Sequence, residues 1–296
     1  MKRENITANK LLELFDSVEN DDSYLVSPVY YLMSGRNGGE IIRHGMSHII
    51  AIQHPNKKNS VLLFPKVSPI NIGNDLSEEI EVASFIKQNN PYIETRIGRI
   101  PEALSIKHKD KMVVEELLDW KYPVQILGTK DMVELKGGRF QQIRQRINNL
   151  SCCFCESSPI KSYKDFDDIK KLSIDWTKGF RYSMYSSLDL ISPILKLLEL
   201  MTNPKLNLHG QIIKYKELPT AFCIWETRGT IANAFAMVAT RSIKGLAEYN
   251  IVEMCRRLND FGISKVNLGG SESEGLNRFK KKFSPVKSIE LKTCIV

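Results

Sequence analysis

The chain has 296 residues, 42% of them hydrophobic and 26% charged, which excludes a disordered or fibrous chain and leaves room for two ordinary domains. No run of eighteen apolar residues occurs, and Met1-Lys2-Arg3-Glu4-Asn5 leads into an amphipathic segment instead of a signal-peptide core, so a cytoplasmic protein is expected. The net charge of +8 divides into −3 over residues 1–135 and +11 over residues 136–296, which fits a phosphate-rich partner on the second part.

In chain order, residues 7–19 read as a helix. Tyr24–Leu32 and Ile41–Gln53 read as strands around a glycine-rich turn at residues 35–39, and Val61–Phe64 as a further short strand. An acidic helix is expected over Leu76–Gln88, loop or strand over Arg99–His108, and a helix over Lys111–Trp120. Phe140, Ile143, Ile147 and Leu150 form one apolar helical stripe, which makes residues 136–158 a bridging helix and joint. Its arginines, Arg139 and Arg144, stand on other faces, either as a solvated surface or as contacts for a ligand. Asp165–Trp176 and Ser187–Met201 then read as helices, and Leu208–Lys216, Thr220–Glu226 and Ile231–Ala239 as antiparallel strands. A long helix over Ile243–Phe261, a strand over Ile263–Leu268, a helix over Glu274–Phe283 and a strand over Ser288–Ile295 close the chain.

That closing order of elements resembles the second half of a GCN5-related N-acetyltransferase fold, in which two strands splay around an acyl group. The donor's phosphates there meet the N-terminus of the long helix, where this chain carries Arg241, Lys244 and Gly245. Arg278 and the triplet Lys280, Lys281 and Lys282 either meet phosphates as well or form the wet face of a helix packed through Phe279 and Phe283. Ser271 and Glu274 have the spacing of a capping box, which leaves Glu272 as the acid able to hold an amine or act as base. Glu226, at the end of a central strand, is a second candidate base through a water, and Asn267 is placed to orient an acyl carbonyl. Cys152, Cys153 and Cys155 have poor spacing for zinc, and His44, His48 and His54 show no obvious carboxylate partner, so no metal is expected. No nucleophile elbow, P-loop or dinucleotide fingerprint is present.

Leu135–Leu150, with its Leu-x-Gly start and Arg-x-x-Ile-Asn continuation, resembles a helix of the C-terminal domain of phosphatidylglycerol lysyltransferases. Asn267–Pro285 is similar to that family's closing segment. Leu268–Gly270, Gly275-Leu276 and Phe279-Lys280 are similar to pieces of the Fem-type peptidyltransferases. The resemblance covers about residues 130–290. It implies an α+β protein of tandem acetyltransferase-like domains, 1–135 and 159–296, joined by the bridging helix. It also implies an acyltransferase that moves an aminoacyl group from aminoacyl-tRNA to an amine or hydroxyl acceptor by direct attack. Two departures leave alternatives open: the family's acidic run before the last helix is absent, and Arg241…Gly245-Leu-Ala247 meets the CoA-binding signature only in part. The alternatives are an acyl-CoA-dependent N-acyltransferase of the same fold and a non-catalytic RNA-binding module. No tightly bound cofactor is expected; the partner is tRNA or a CoA-type donor, the acceptor is unknown, and peripheral membrane contact through the lysines stays open.

Overall fold

Among the described residues, all strands fall into two seven-stranded mixed sheets, each the floor of its own compact unit. The structure is a computed structural model describing residues 1–296 except 17, 19–23, 56, 67–74, 116–120, 152–154 and 180–186. The first unit comprises residues 1–124, 270–274 and 289–296, and the second residues 125–269 and 275–288.

In the first unit β1 (Lys2–Asn5), β2 (Gly39–His44), β3 (Ser47–Gln53), β4 (Ser60–Leu63) and β5 (Glu94–Pro101) lie side by side in chain order. Helices α1 (Ala8–Asp16) and α2 (Pro28–Ser34) precede β2, while α3 (Ser77–Asn89) makes the crossover from β4 to its parallel neighbour β5. After α4 (Glu102–Lys107) comes β6 (Val113–Glu115) at the far edge. The core is aliphatic, with Ile42, Ile49, Leu63, Val82, Ala83, Ile97 and Ile100 packed together. Arg96, 1% exposed, is buried at no loss of pairing: its Nε donates to Glu115 Oε2 at 2.5 Å, with further contacts to Glu94 and Ser60. That guanidinium, helped by Lys57, holds the Glu115 carboxyl down to about 2.

Several expectations are corrected here. Tyr24–Leu32 is helical, because Ser27 Oγ accepts the Tyr30 amide at 2.9 Å and Pro28 opens α2; the aromatic run mimics a strand only in composition. Arg99–His108 is divided between the end of β5 and the helix α4. Within Lys111–Trp120, Val113–Glu115 is a strand, and residues 116–120 lie outside the described residues.

The second unit begins with β7 (Val124–Gly128) and α5 (Thr129–Glu134), neither anticipated from sequence. Next come α6 (Gln141–Ser151), β8 (Cys155–Pro159), α7 (Tyr163–Thr177) and α8 (Ser187–Leu200). The central hairpins are β9 (Leu208–Tyr215), β10 (Leu218–Arg228) and β11 (Ile231–Ala239). Then α9 (Leu246–Asp260), β12 (Lys265–Asn267), α10 (Glu274–Lys281) and β13 (Lys287–Ile289) follow, and β14 (Leu291–Ile295) ends the chain. The sheet order is β13-β7-β12-β11-β10-β9-β8. On one face α5, α6 and α9 bury Leu127, Cys223, Trp225, Ala232, Ala234 and Val266 under Phe140, Ile143, Ile251, Met254 and Leu258. A polar clasp fixes α9 to the sheet: Asn250 Nδ2 donates to the Phe222 and Val238 carbonyls, and Gln211 Nε2 donates to Asn250 Oδ1 at 3.0 Å.

The expected boundary at residue 135 and the expected last strand both shift for the same reason. β7 hydrogen-bonds into the second sheet beside β12, so the second unit starts at Gln125 and takes the bridging helix with it. The segment Ser288–Ile295 is two strands, and β14 lies between β5 and β6 in the first sheet. Both sheets thus have one layout: five strands in chain order, then a strand drawn from a distant part of the chain, then a short edge strand.

Candidate active site

The parallel pair in the middle of the second sheet is short. β11 and β12 match over Ile231–Asn233 and Lys265–Asn267, after which β12 ends and β11 runs on to Ala239. The register between β10 and β11 also shifts once, leaving Phe235 as an extra residue between Ala234 and Ala236. A bulge turns its strand and strengthens its twist, which is the local device that lets β11 leave β12. The gap so opened has the splayed-strand form expected of an acetyltransferase-like unit.

At the base of this gap lies a polar row. Glu226, Asn233 and Asn267 are register partners across β10, β11 and β12, so all three side chains project from one face of the sheet. Their alternating neighbours Trp225, Ala234 and Val266 are in the α9 core, so the row faces the other side, where α7 packs on β10 and β11. The three residues are 3%, 2% and 0% exposed. A buried carboxylate between strands is uncommon unless it is paired or used, and buried amides normally find partners. Asn267 has one: its Oδ1 accepts the Gly269 amide at 2.8 Å and shapes the turn that follows, where Gly269 has φ +72°. The role expected for Asn267, orienting an acyl carbonyl, would fall to its Nδ2, since a carbonyl accepts and the amide nitrogen is the donor. Asn233 was not anticipated, and its Oδ1 is buried with no hydrogen-bond partner among the described residues. The signal was present as a lone amide inside the otherwise apolar Ile231–Ala239.

The remaining expected site residues separate into those engaged within the protein and those turned outward. Lys280 is 4% exposed and donates to the Leu268 and Gly269 carbonyls at 2.7 and 3.2 Å, so it braces the turn after β12 and is not a phosphate contact. Lys282 lies 3.9 Å from Glu248 and over the Phe279 ring. Arg144 donates to the Leu135 and Gly137 carbonyls, and Arg139 pairs with Asp131 at 3.0 Å. Gly245 is not a close approach for a ligand: a Cβ there would stand 2.5 Å from the Arg146 carbonyl oxygen, so its φ of +86° serves the contact between α6 and α9. Arg241, Lys244, Arg278 and Lys281 are exposed, with Arg241 Nη1 also donating to the Gly179 carbonyl. Glu272 is exposed and belongs to the first unit, not to the unit that holds the row. The capping box does not form, since Ser271 bridges Tyr122 through its backbone, its Oγ is buried without a hydrogen-bond partner among the described residues, and α10 starts at Glu274.

The N-terminus of α9 departs from an open phosphate site. Gly245 and Leu246 are buried, and the first turn carries Glu248, 3% exposed, held by Arg146 at 2.8 Å. A carboxylate in a first helical turn already offsets the positive end of the helix dipole. In the first unit His44 does meet a carboxylate, Glu81, at 3.0 Å. Cys152 and Cys153 lie outside the described residues. Among the described residues no helix is long and apolar enough to cross a membrane.

Residues 125–294 match the family described as phosphatidylglycerol lysyltransferase, C-terminal. No curated protein matches the sequence. Among solved structures, a conserved protein of unknown function from Bacteroides thetaiotaomicron is similar at TM-score 0.78 and 16% identity, over 100% of this chain and 99% of that one. The L-PGS of Bacillus licheniformis is similar at TM-score 0.65 and 13% identity, over 99% and 92%. FemX is similar at TM-score 0.60 and 10% identity, over 100% and 97%. These likenesses show the fold, which is that of tandem GCN5-related N-acetyltransferase-like units.

Proposed function

The chain belongs to the phosphatidylglycerol lysyltransferase C-terminal family and is an acyltransferase; on that premise we propose that its donor is aminoacyl-tRNA and its acceptor an amine or hydroxyl. The observation that carries this reading is the buried row of Glu226 and Asn233 at the base of the β11–β12 gap. An acetyl group offers only a methyl and a carbonyl to that position. An aminoacyl group carries an amine as well, which matches a carboxylate and an amide oxygen. The α9 terminus supports the same choice, because its first turn carries Glu248, paired with Arg146, and a carboxylate at a helix N-terminus disfavours a pyrophosphate there.

In this reading the acceptor attacks the ester carbonyl directly. A new C–N or C–O bond forms, the proton of the acceptor passes to Glu226 directly or through a water, and the bond to the tRNA ribose oxygen breaks. That oxygen leaves with the same proton, returned from Glu226 or the water, and no covalent enzyme intermediate is required. Arg241, Lys244, Arg278 and Lys281, all exposed, would meet the tRNA phosphates. Uncharged tRNA, total aminoacylated tRNA and acetyl-CoA are titrated in parallel at two salt concentrations. Tighter binding of the aminoacylated form, with affinity falling steeply with salt and weakened by Lys244→Ala with Lys281→Ala, is the expected result. Tight acetyl-CoA binding without tRNA affinity would assign the protein to the acyl-CoA transferases, and tRNA binding indifferent to charging would make it an RNA-binding module.

A further inference from the structure

A buried acceptor atom that no protein group satisfies is either a defect in packing or half of a contact whose other half arrives with a ligand. Asn233 Oδ1 is such an atom, in a residue 2% exposed and fixed in the middle of a sheet. We propose that Asn233 is a specificity residue that recognises the free α-ammonium of the aminoacyl donor, and so separates aminoacyl-tRNA from N-blocked acyl donors. The inference rests on the aminoacyl-tRNA reading above and adds to it the group that is read and the atom that reads it.

Three features point to an ammonium group and not to a hydroxyl or a carbonyl. The unsatisfied atom is an acceptor, which a donating ligand group would satisfy. Its register partner across the β10–β11 pair is the Glu226 carboxylate, and directly opposed side chains in an antiparallel pair have Cβ atoms about 4.5–5.5 Å apart, so one small cation can meet both. The position is enclosed, and a charge-assisted hydrogen bond inside a protein is stronger than a neutral one. An N-acylated amine has one N–H in place of three and no charge, and it brings bulk to an enclosed position.

The test compares three forms of one tRNA preparation: uncharged, aminoacylated, and aminoacylated then N-acetylated with acetic anhydride. The wild-type protein is expected to bind the aminoacylated form about tenfold or more tighter than the N-acetylated form. Asn233→Ala is expected to bind the two charged forms alike while keeping its melting temperature, since the buried oxygen it removes is unsatisfied. Asn233→Asp, which keeps the acceptor and its size, is expected to retain the preference. Equal binding of both charged forms by the wild type, with uncharged tRNA weaker, would overturn amine recognition at Asn233 and leave the donor assignment standing. Equal binding of all three would overturn the donor assignment and this inference with it. Retention of the full preference by folded Asn233→Ala would place the reader of the amine elsewhere.

Discussion

At the scale of single residues, the lysine triplet shows how far one helical turn separates neighbours in sequence. Consecutive positions on a helix are about 100° apart, so Lys280 points into the second unit while Lys281 points out. Lys280 offers its ammonium to two backbone carbonyls and is almost fully enclosed. Replacing it by methionine leaves both carbonyls without that donor, which costs about 1–3 kcal/mol. Lys280→Met is therefore expected to lower the melting temperature by several degrees, with its RNA affinity measured below that temperature little changed. On the proposed tRNA reading, Lys281→Ala is expected to do the reverse, leaving the melting temperature in place and making the salt dependence of tRNA binding less steep. If Lys280→Met melts like the wild type, the bracing role assigned to its ammonium is wrong. Asn233 teaches the converse lesson: an amide that composition treats as one polar residue among many is distinguished only by its register partner.

Among the elements, α9 and the hairpins β9–β11 were legible because their apolar spacing is regular and long. The sheet face and the helix face each repeat over several turns or strand steps before any interruption. What stayed hidden depends on partners distant in sequence. β7 is five residues, Val-Gln-Ile-Leu-Gly, and becomes a strand only between β12 and β13. Tyr24–Leu32 looked like a strand because aromatic and β-branched residues favour one, but a serine cap followed by proline decided for a helix. The polar row was half visible: Glu226 and Asn267 stood out at strand ends, whereas their adjacency required the register. Gly245 was noticed for the right conformation and the wrong neighbour. With φ +86° and the Arg146 backbone carbonyl against it, Gly245→Ala meets strain and a clash that a flexible side chain cannot relieve. A loss of about 2 kcal/mol or more in denaturant unfolding is expected. An unchanged midpoint would mean that α6 and α9 do not meet through this glycine.

For the whole molecule, the two sheets cannot be divided by one cut in the chain. The first sheet needs β14, which carries the fully buried Cys294 into the core beside Ile97, Ile100 and Met112. The second needs β7, which precedes the boundary expected at residue 135. A fragment starting at residue 136 would lose β7 and α5, leaving β12 without its antiparallel neighbour. Truncation after Ile289 would expose the edge of β5 and leave β6 unpaired, because β14 is the strand that joins them. All seven strands of the second sheet lie within residues 124–289 and would survive that truncation. Hydrogen exchange on a chain ending at Ile289 is expected to show lost protection at residues 94–101 and 113–115, with β9, β10 and β11 still protected. Unchanged protection of β5 would show that β14 adds to the first sheet without holding it. Because one edge of β5 waits for a strand almost two hundred residues later, completing the first sheet closes a very long loop. Such contacts form late and slowly, so recovery of protection in β5 during refolding is expected to trail that in the β9–β10–β11 hairpins, whose pairings are local.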